Sequence, residues 1–175
     1  MNHFDFYGFP VAFQVDEKAL RRLYLEHSRK YHPDFHTLSD EAEQAHVLDL
    51  STRNNEAFKT LSDEDKRIQY VLKIKGLIEE GEGQGVLPQE FLMDMMDINE
   101  AMMELEFDFD AGRLEETRRS VEALDQALRE GIQPVLDTWT EAQGSEADLL
   151  RARDYFFKKR YLLRIFENLS KFAPA

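Results

Sequence analysis

Between residues 91 and 128 two sets of mostly apolar side chains recur at spacings of three and four. Phe91, Met95, Ile98, Met102 and Leu105 step by 4, 3, 4 and 3, and Leu114, Thr117, Val121, Leu124 and Leu128 step by 3, 4, 3 and 4. That is the period of a helical seam; a half-buried strand would alternate every second residue. Two seams in succession need a third apolar face, and the stretch opening at Gly144-Ser145 offers Leu149, Phe156, Leu163 and Phe166. Gly131 and Pro134 are expected to kink or end the second helix near Trp139. The pattern predicts an antiparallel three-helix bundle over 88–175. With 8 Gly and 5 Pro in 175 residues, the chain is short of turn formers for a many-hairpin sandwich or barrel, which leaves an all-α fold.

The first half is helical by a different signature. Residues 4–13 are aromatic and turn-like, with room for a short helical turn. Asp16 then reads as an N-cap for a helix over Glu17–Tyr31, where Leu20, Leu23, Tyr24, His27 and Tyr31 share one face. His32-Pro33 stops it, because the residue before proline is pushed out of the α region. Ser39-Asp40-Glu41 caps a second long helix, with Ala45, Leu48, Ser51 or Thr52, Asn55, Phe58 and Leu61 expected inward. Ser62-Asp63-Glu64 caps a shorter one that Gly76 ends. Residues 79–87, with three Gly and three Glu, are linker-like. The expected organisation is a domain over 1–76, a linker over 77–87 and the bundle over 88–175.

Charge divides along the same line. Net charge is −13, with 11 basic and 13 acidic residues in 1–76 and 11 basic and 22 acidic in 77–175. This balance argues against nucleic acid or an anionic membrane as partner. The absence of Cys excludes a disulfide scaffold, a thiolate nucleophile and a cluster held by the chain's own thiolates, and suits a reducing cytoplasm. No run approaches the roughly 18 apolar residues of a membrane span, and residues 1–6 do not read as a secretory signal.

One strip departs from this acidity. At 100° per residue, Lys18, Arg22 and Arg29 fall opposite the apolar face of the first long helix, flanked by Arg21 and Lys30. A solvated face is the plain reading. Leu25 lies in the same outward strip, however, and a basic strip with one apolar contact suits an acidic partner. It ends at His32-Pro33-Asp34, where proline fixes the loop backbone.

These residues carry a resemblance. Ala19 to Leu25 with Arg29 to Asp34, then Asn55 to Asp63, Lys66-Arg67 and Tyr70, preceded by Asp5-Phe6-Tyr7-Gly8-Phe9-Pro10, resemble a J domain in order and position. The resemblance implies docking on a DnaK-type chaperone through Arg22, Leu25, Arg29, Lys30, His32, Pro33 and Asp34, with stimulation of its ATP hydrolysis. Phe35 stands where many J domains have Lys. A J domain followed by a short acidic helical bundle, without Gly/Phe-rich, zinc or β-rich segments, is similar over the whole chain to the HscB co-chaperones of iron–sulfur cluster assembly, in their bacterial form. That implies an HscA-type chaperone and an IscU-type scaffold as partners, no cofactor of its own and no catalytic residue.

The bundle supports a binding role from its own residues. Outside the seam of its first helix runs a second stripe: Leu92, Met93, Met96, then Asp97, Glu100, Met103 and Glu104. Apolar residues rimmed by acids mark a protein interface unless the first domain or the third helix covers them. By resemblance Leu92, Met93, Met96, Asp97, Glu100 and Glu104 match scaffold-binding positions, with Phe156 beside them; Phe156 reads equally as core. Two alternatives stay open: a J protein serving a different client, and a small helical metal-binding protein. For the latter, His32 and His36 have helical metal-pair spacing but Pro33 lies between them. The acids at 104–110 lack the order of a calcium loop, and phosphate-binding or nucleophile-elbow motifs are absent.

Overall fold

Asp16, Asp40 and Asp63 each turn a carboxylate back to accept the backbone N–H three residues on, at 3.0, 2.9 and 3.0 Å. Each thereby satisfies one of the orphan donors that open a helix. The computed structural model describes residues 1–79 and 87–172, so most of the expected 77–87 linker lies outside the described residues. The described elements are α1 (His3–Tyr7), α2 (Glu17–Lys30), a 3₁₀ turn (Pro33–Phe35), α3 (Glu41–Leu61), α4 (Glu64–Ile74), α5 (Gln89–Phe107), α6 (Ala111–Thr138) and α7 (Glu146–Ser170). The expected all-α fold is the observed one; an isolated antiparallel bridge, Ala12 to Thr140, is the extended pairing among the described residues. No helix among the described residues is long and apolar enough to cross a membrane.

The chain forms two compact units, Met1–Gly76 with Asp137–Ser145, and Leu77–Leu136 with Glu146 onward. In the first, α2 and α3 form a hairpin, with Phe4, Phe13, Leu20, Leu61, Ile68, Leu72 and Trp139 buried. The indole of Trp139 lies 5.0 Å from the Phe13 ring, and Val11 accepts the Glu141 N–H at 2.9 Å. Gly144 is required there: a Cβ would stand 2.0 Å from the indole. Gly76 closes α4 at φ +69°, a conformation glycine adopts without cost. In the second unit the predicted seam residues Phe91, Met95, Ile98, Met102 and Leu105 of α5 and Leu114 and Val121 of α6 are in the core, where α7 contributes Leu162, Ile165 and Leu169.

Two expectations need correction. The inner face of α3 is Val47, Asn54, Ala57 and Leu61, while Ala45 and Asn55 are exposed and Leu48 is 58% exposed. A buried amide set the rotation, which an apolar count does not see. On α7, Leu163 is 43% exposed and Leu162 is buried. Tyr155, Phe156 and Phe157 are all buried, so the apolar period of that helix is blurred. As expected, α6 ends beside Trp139, at Thr138, one turn after Pro134. Val135 and Leu136 are buried just beyond the proline, and their burial offsets the lost backbone bond.

Candidate interaction sites

In the first unit the geometry starts from Pro33. It holds His32 extended (φ −73°, ψ 125°) and opens the 3₁₀ turn. The Asp34 N–H donates to Nδ1 of His32 at 3.3 Å, which leaves Nε2 as the proton-bearing nitrogen of the neutral ring. Nε2 of His36 meets the Lys30 carbonyl at 2.9 Å and ties the loop to the end of α2. His32, Pro33 and Asp34 are exposed, and Phe35 is 75% exposed with its ring edge-on to His32 at 5.7 Å. The loop is therefore ordered by its own bonds and open to a partner. Behind it Arg22, Arg29 and Lys30 are exposed, as is Leu25 at 46%. Arg22 lies 3.9 Å from Glu26, an exposed pair of little energetic weight.

A residue the periodicity did not single out holds this hairpin. Asn54 is 1% exposed. Its amide donates to the Tyr24 carbonyl at 3.1 Å and to Oγ of Ser28 at 3.0 Å, both on α2. Its Oδ1 and backbone carbonyl accept from the Tyr7 hydroxyl at 2.7 and 2.9 Å. One side chain thus links α1, α2 and α3. Burial pushes the Tyr7 phenol well above its ordinary pKa and keeps it a donor. Burial likewise lowers His27, stacked on Tyr7 at 5.5 Å with Phe6 edge-on at 5.2 Å; its buried Nδ1 has no hydrogen-bond partner. Arg67 is 2% exposed and donates from Nε to the Phe13 carbonyl at 2.7 Å and from Nη1 to the Leu61 carbonyl. Burial lowers its pKa, yet an arginine stays charged at neutral pH.

In the second unit α5 buries one face and leaves the other open. Leu92, Met93 and Met96 are 42, 61 and 69% exposed, and Asp97, Glu100 and Glu104 are exposed beside them. Glu104 pairs with Arg113 of α6 at 2.7 Å. Asp94, Asp97 and Glu104 face α6 across a groove of about 470 Å³ that Glu116 and Ser120 also line. Asn99 faces the other way, donating to the Tyr161 hydroxyl of α7 at 3.1 Å. Phe156 stands apart from the exposed set: it is 8% exposed, edge-on to Phe157 at 5.5 Å, with the Arg160 guanidinium 5.4 Å from its ring.

Residues 87–170 match the model of the HSCB C-terminal oligomerisation domain. A co-chaperone protein HscB homolog of Aeromonas hydrophila is 27% identical over 175 residues, covering all of this chain and 98% of its own. A Ralstonia nicotianae homolog of the same name is 35% identical over 100 residues, 57% of each chain. The human co-chaperone protein HscB is similar in structure, with a TM-score of 0.72 and 26% identity over 98% of this chain and 81% of its own. The chain belongs to the HscB family. Chaperone HscB from Vibrio cholerae, at 22% identity, shares the fold with a TM-score of 0.66 over 98% of this chain and 96% of its own. The HscB fold makes the first unit a J domain and the exposed His32-Pro33-Asp34 turn its loop, and the chain is a co-chaperone.

Proposed function

We propose that this co-chaperone holds an IscU-type iron–sulfur scaffold on α5 and delivers it to an HscA- or DnaK-type chaperone in the cytoplasm. Leu92, Met93 and Met96 supply apolar contact, and Asp97, Glu100 and Glu104 set the orientation of the client. Arg22, Leu25, Arg29 and Lys30 with the His32-Pro33-Asp34 loop dock on the chaperone, stimulate its ATP hydrolysis, and close it on the delivered scaffold in support of cluster assembly. Hydrolysis chemistry stays in the chaperone. What this chain supplies is presentation: a loop already ordered by Pro33 and His36 binds without the entropy cost of ordering it.

The observation that carries the client half of this reading is the pair of long, exposed methionines, Met93 and Met96, on a helix with a complete core face of its own. Phe156 is left out of the client set because its ring is buried. The test is calorimetric titration of the full chain with the IscU-type scaffold of its own organism, in cluster-free and cluster-loaded forms. Saturable one-to-one binding that Leu92→Ala/Met96→Ala loses is the expected result. Absence of binding by the unmodified chain to either form would leave a J-domain co-chaperone with another client.

A further inference from the structure

The apolar strip of α5 does not stop at Met96. At 100° per residue Leu92, Met103, Met96 and Phe107 fall within a wedge of about 60° on the solvent side of the helix. Met103 is 60% exposed and Phe107 90%. Asn99, bonded to Tyr161, marks the edge of the strip toward α7, and Asp97 and Glu104 mark the edge toward α6. The strip is thus a ridge along the whole helix, bounded by acids on one side. From Pro88 to Asp110 there are eight carboxylates and no Lys or Arg.

We infer that the client footprint runs the length of α5, from Leu92 to Phe107, a span of about 22 Å at 1.5 Å per residue. The occupant this ridge fits is a cationic amphipathic segment of the client. Its apolar side chains lie along Leu92, Met96, Met103 and Phe107, and its Lys or Arg side chains face Asp97, Glu100 and Glu104. Two unbranched methionines let the ridge adapt to the apolar shape it meets. A second copy of this chain is the poorer occupant, because the same ridge on both partners would bring carboxylate against carboxylate. The inference rests on the client-face reading above and adds to it Met103, Phe107 and the charge of the segment they meet.

The test adds Met103→Ala/Phe107→Ala to the scaffold titration, beside Leu92→Ala/Met96→Ala and a Leu163→Ala control on exposed α7 surface. Helical content by circular dichroism checks each variant, and the exposure of these residues predicts no change. Met103→Ala/Phe107→Ala is expected to weaken binding about tenfold or more with the control unchanged. Raising salt from about 0.05 to about 0.5 M is expected to weaken binding by the unmodified chain. Unmodified affinity in Met103→Ala/Phe107→Ala, with Leu92→Ala/Met96→Ala defective, would overturn the extended footprint and leave the client face standing. Salt-independent affinity would overturn the cationic segment. A variant that alters self-association in sedimentation instead of client affinity would assign the ridge to a second copy and overturn the inference.

Discussion

Asn54→Ala removes the side chain on which the J-domain hairpin converges. Two donated bonds, to the Tyr24 carbonyl and Ser28, and one accepted from Tyr7 are lost. At about 0.5–1.5 kcal/mol net for each, the loss is about 2–4 kcal/mol. The Tyr7 hydroxyl keeps the Asn54 backbone carbonyl as a partner, which holds the cost near the middle of that range. Trp139, the single tryptophan, is buried within the first unit, so its emission follows unfolding of that unit. With a urea slope of about 1–2 kcal/mol per M, the midpoint followed by that emission should fall by about 1–3 M. Asn55→Ala is the matched control: Asn55 is exposed and its side chain meets the Tyr24 hydroxyl at 3.2 Å, so its midpoint should move by less than about 0.5 M. Tyr7→Phe should be destabilising alone and non-additive with Asn54→Ala, since the two share a bond. An Asn54→Ala midpoint matching that of Asn55→Ala would refute the claim that the buried amide holds the hairpin.

Other outcomes follow from single contacts. Gly144→Ala places a methyl 2.0 Å from the Trp139 indole, and should cost about 1–3 kcal/mol in the same urea experiment with a change in native emission; an unchanged midpoint and spectrum would contradict the close approach. Burial holds His27 and His3 below the ordinary histidine pKa, so the unfolded chain binds more protons below about pH 6.5. The stability of the first unit should therefore be full above that pH and fall as pH drops through it, and a urea midpoint rising on acidification from pH 7 to pH 5 would contradict the sign. His36→Ala removes the tie to the Lys30 carbonyl and should leave the urea midpoint nearly unchanged while lowering stimulation of the chaperone ATPase, because the loop must then be ordered on docking. Stimulation at the unmodified level would remove His36 from that role.

The parts of the fold that could be read in advance were those written in one physical code. The α5 and α6 seams are apolar and cleanly spaced, and each pairs with a core the other needs. Asp16, Asp40 and Asp63 sit where helix starts need an acceptor. The turn after α2 was legible because proline constrains backbone directly. Where two effects compete, the reading failed. Asn54 is polar and buried, so an apolar count rotated α3 toward Asn55. The three consecutive aromatics of α7 hide which face is inward, which misplaced Leu163. The exposure of Met93 and Met96 followed from the seam, since a helix with one complete core face has its other face to spare. The grouping of Asp137–Ser145 with the first unit depends on contacts more than a hundred residues apart in sequence, such as Phe13 with Trp139, and no local pattern announces these.

The central claim is that one chain holds a client on α5 and triggers a chaperone through the loop after α2. The most direct measurement is steady-state ATP hydrolysis by the HscA-type chaperone with the IscU-type scaffold below saturation. The unmodified chain, His32→Gln and Leu92→Ala/Met96→Ala are compared, and scaffold binding is measured in parallel. The account predicts that His32→Gln binds scaffold normally and fails to stimulate hydrolysis. It also predicts that Leu92→Ala/Met96→Ala keeps its own stimulation of the chaperone but loses the added effect of the scaffold. Full stimulation by His32→Gln, or an undiminished scaffold effect in the α5 variant, would contradict it.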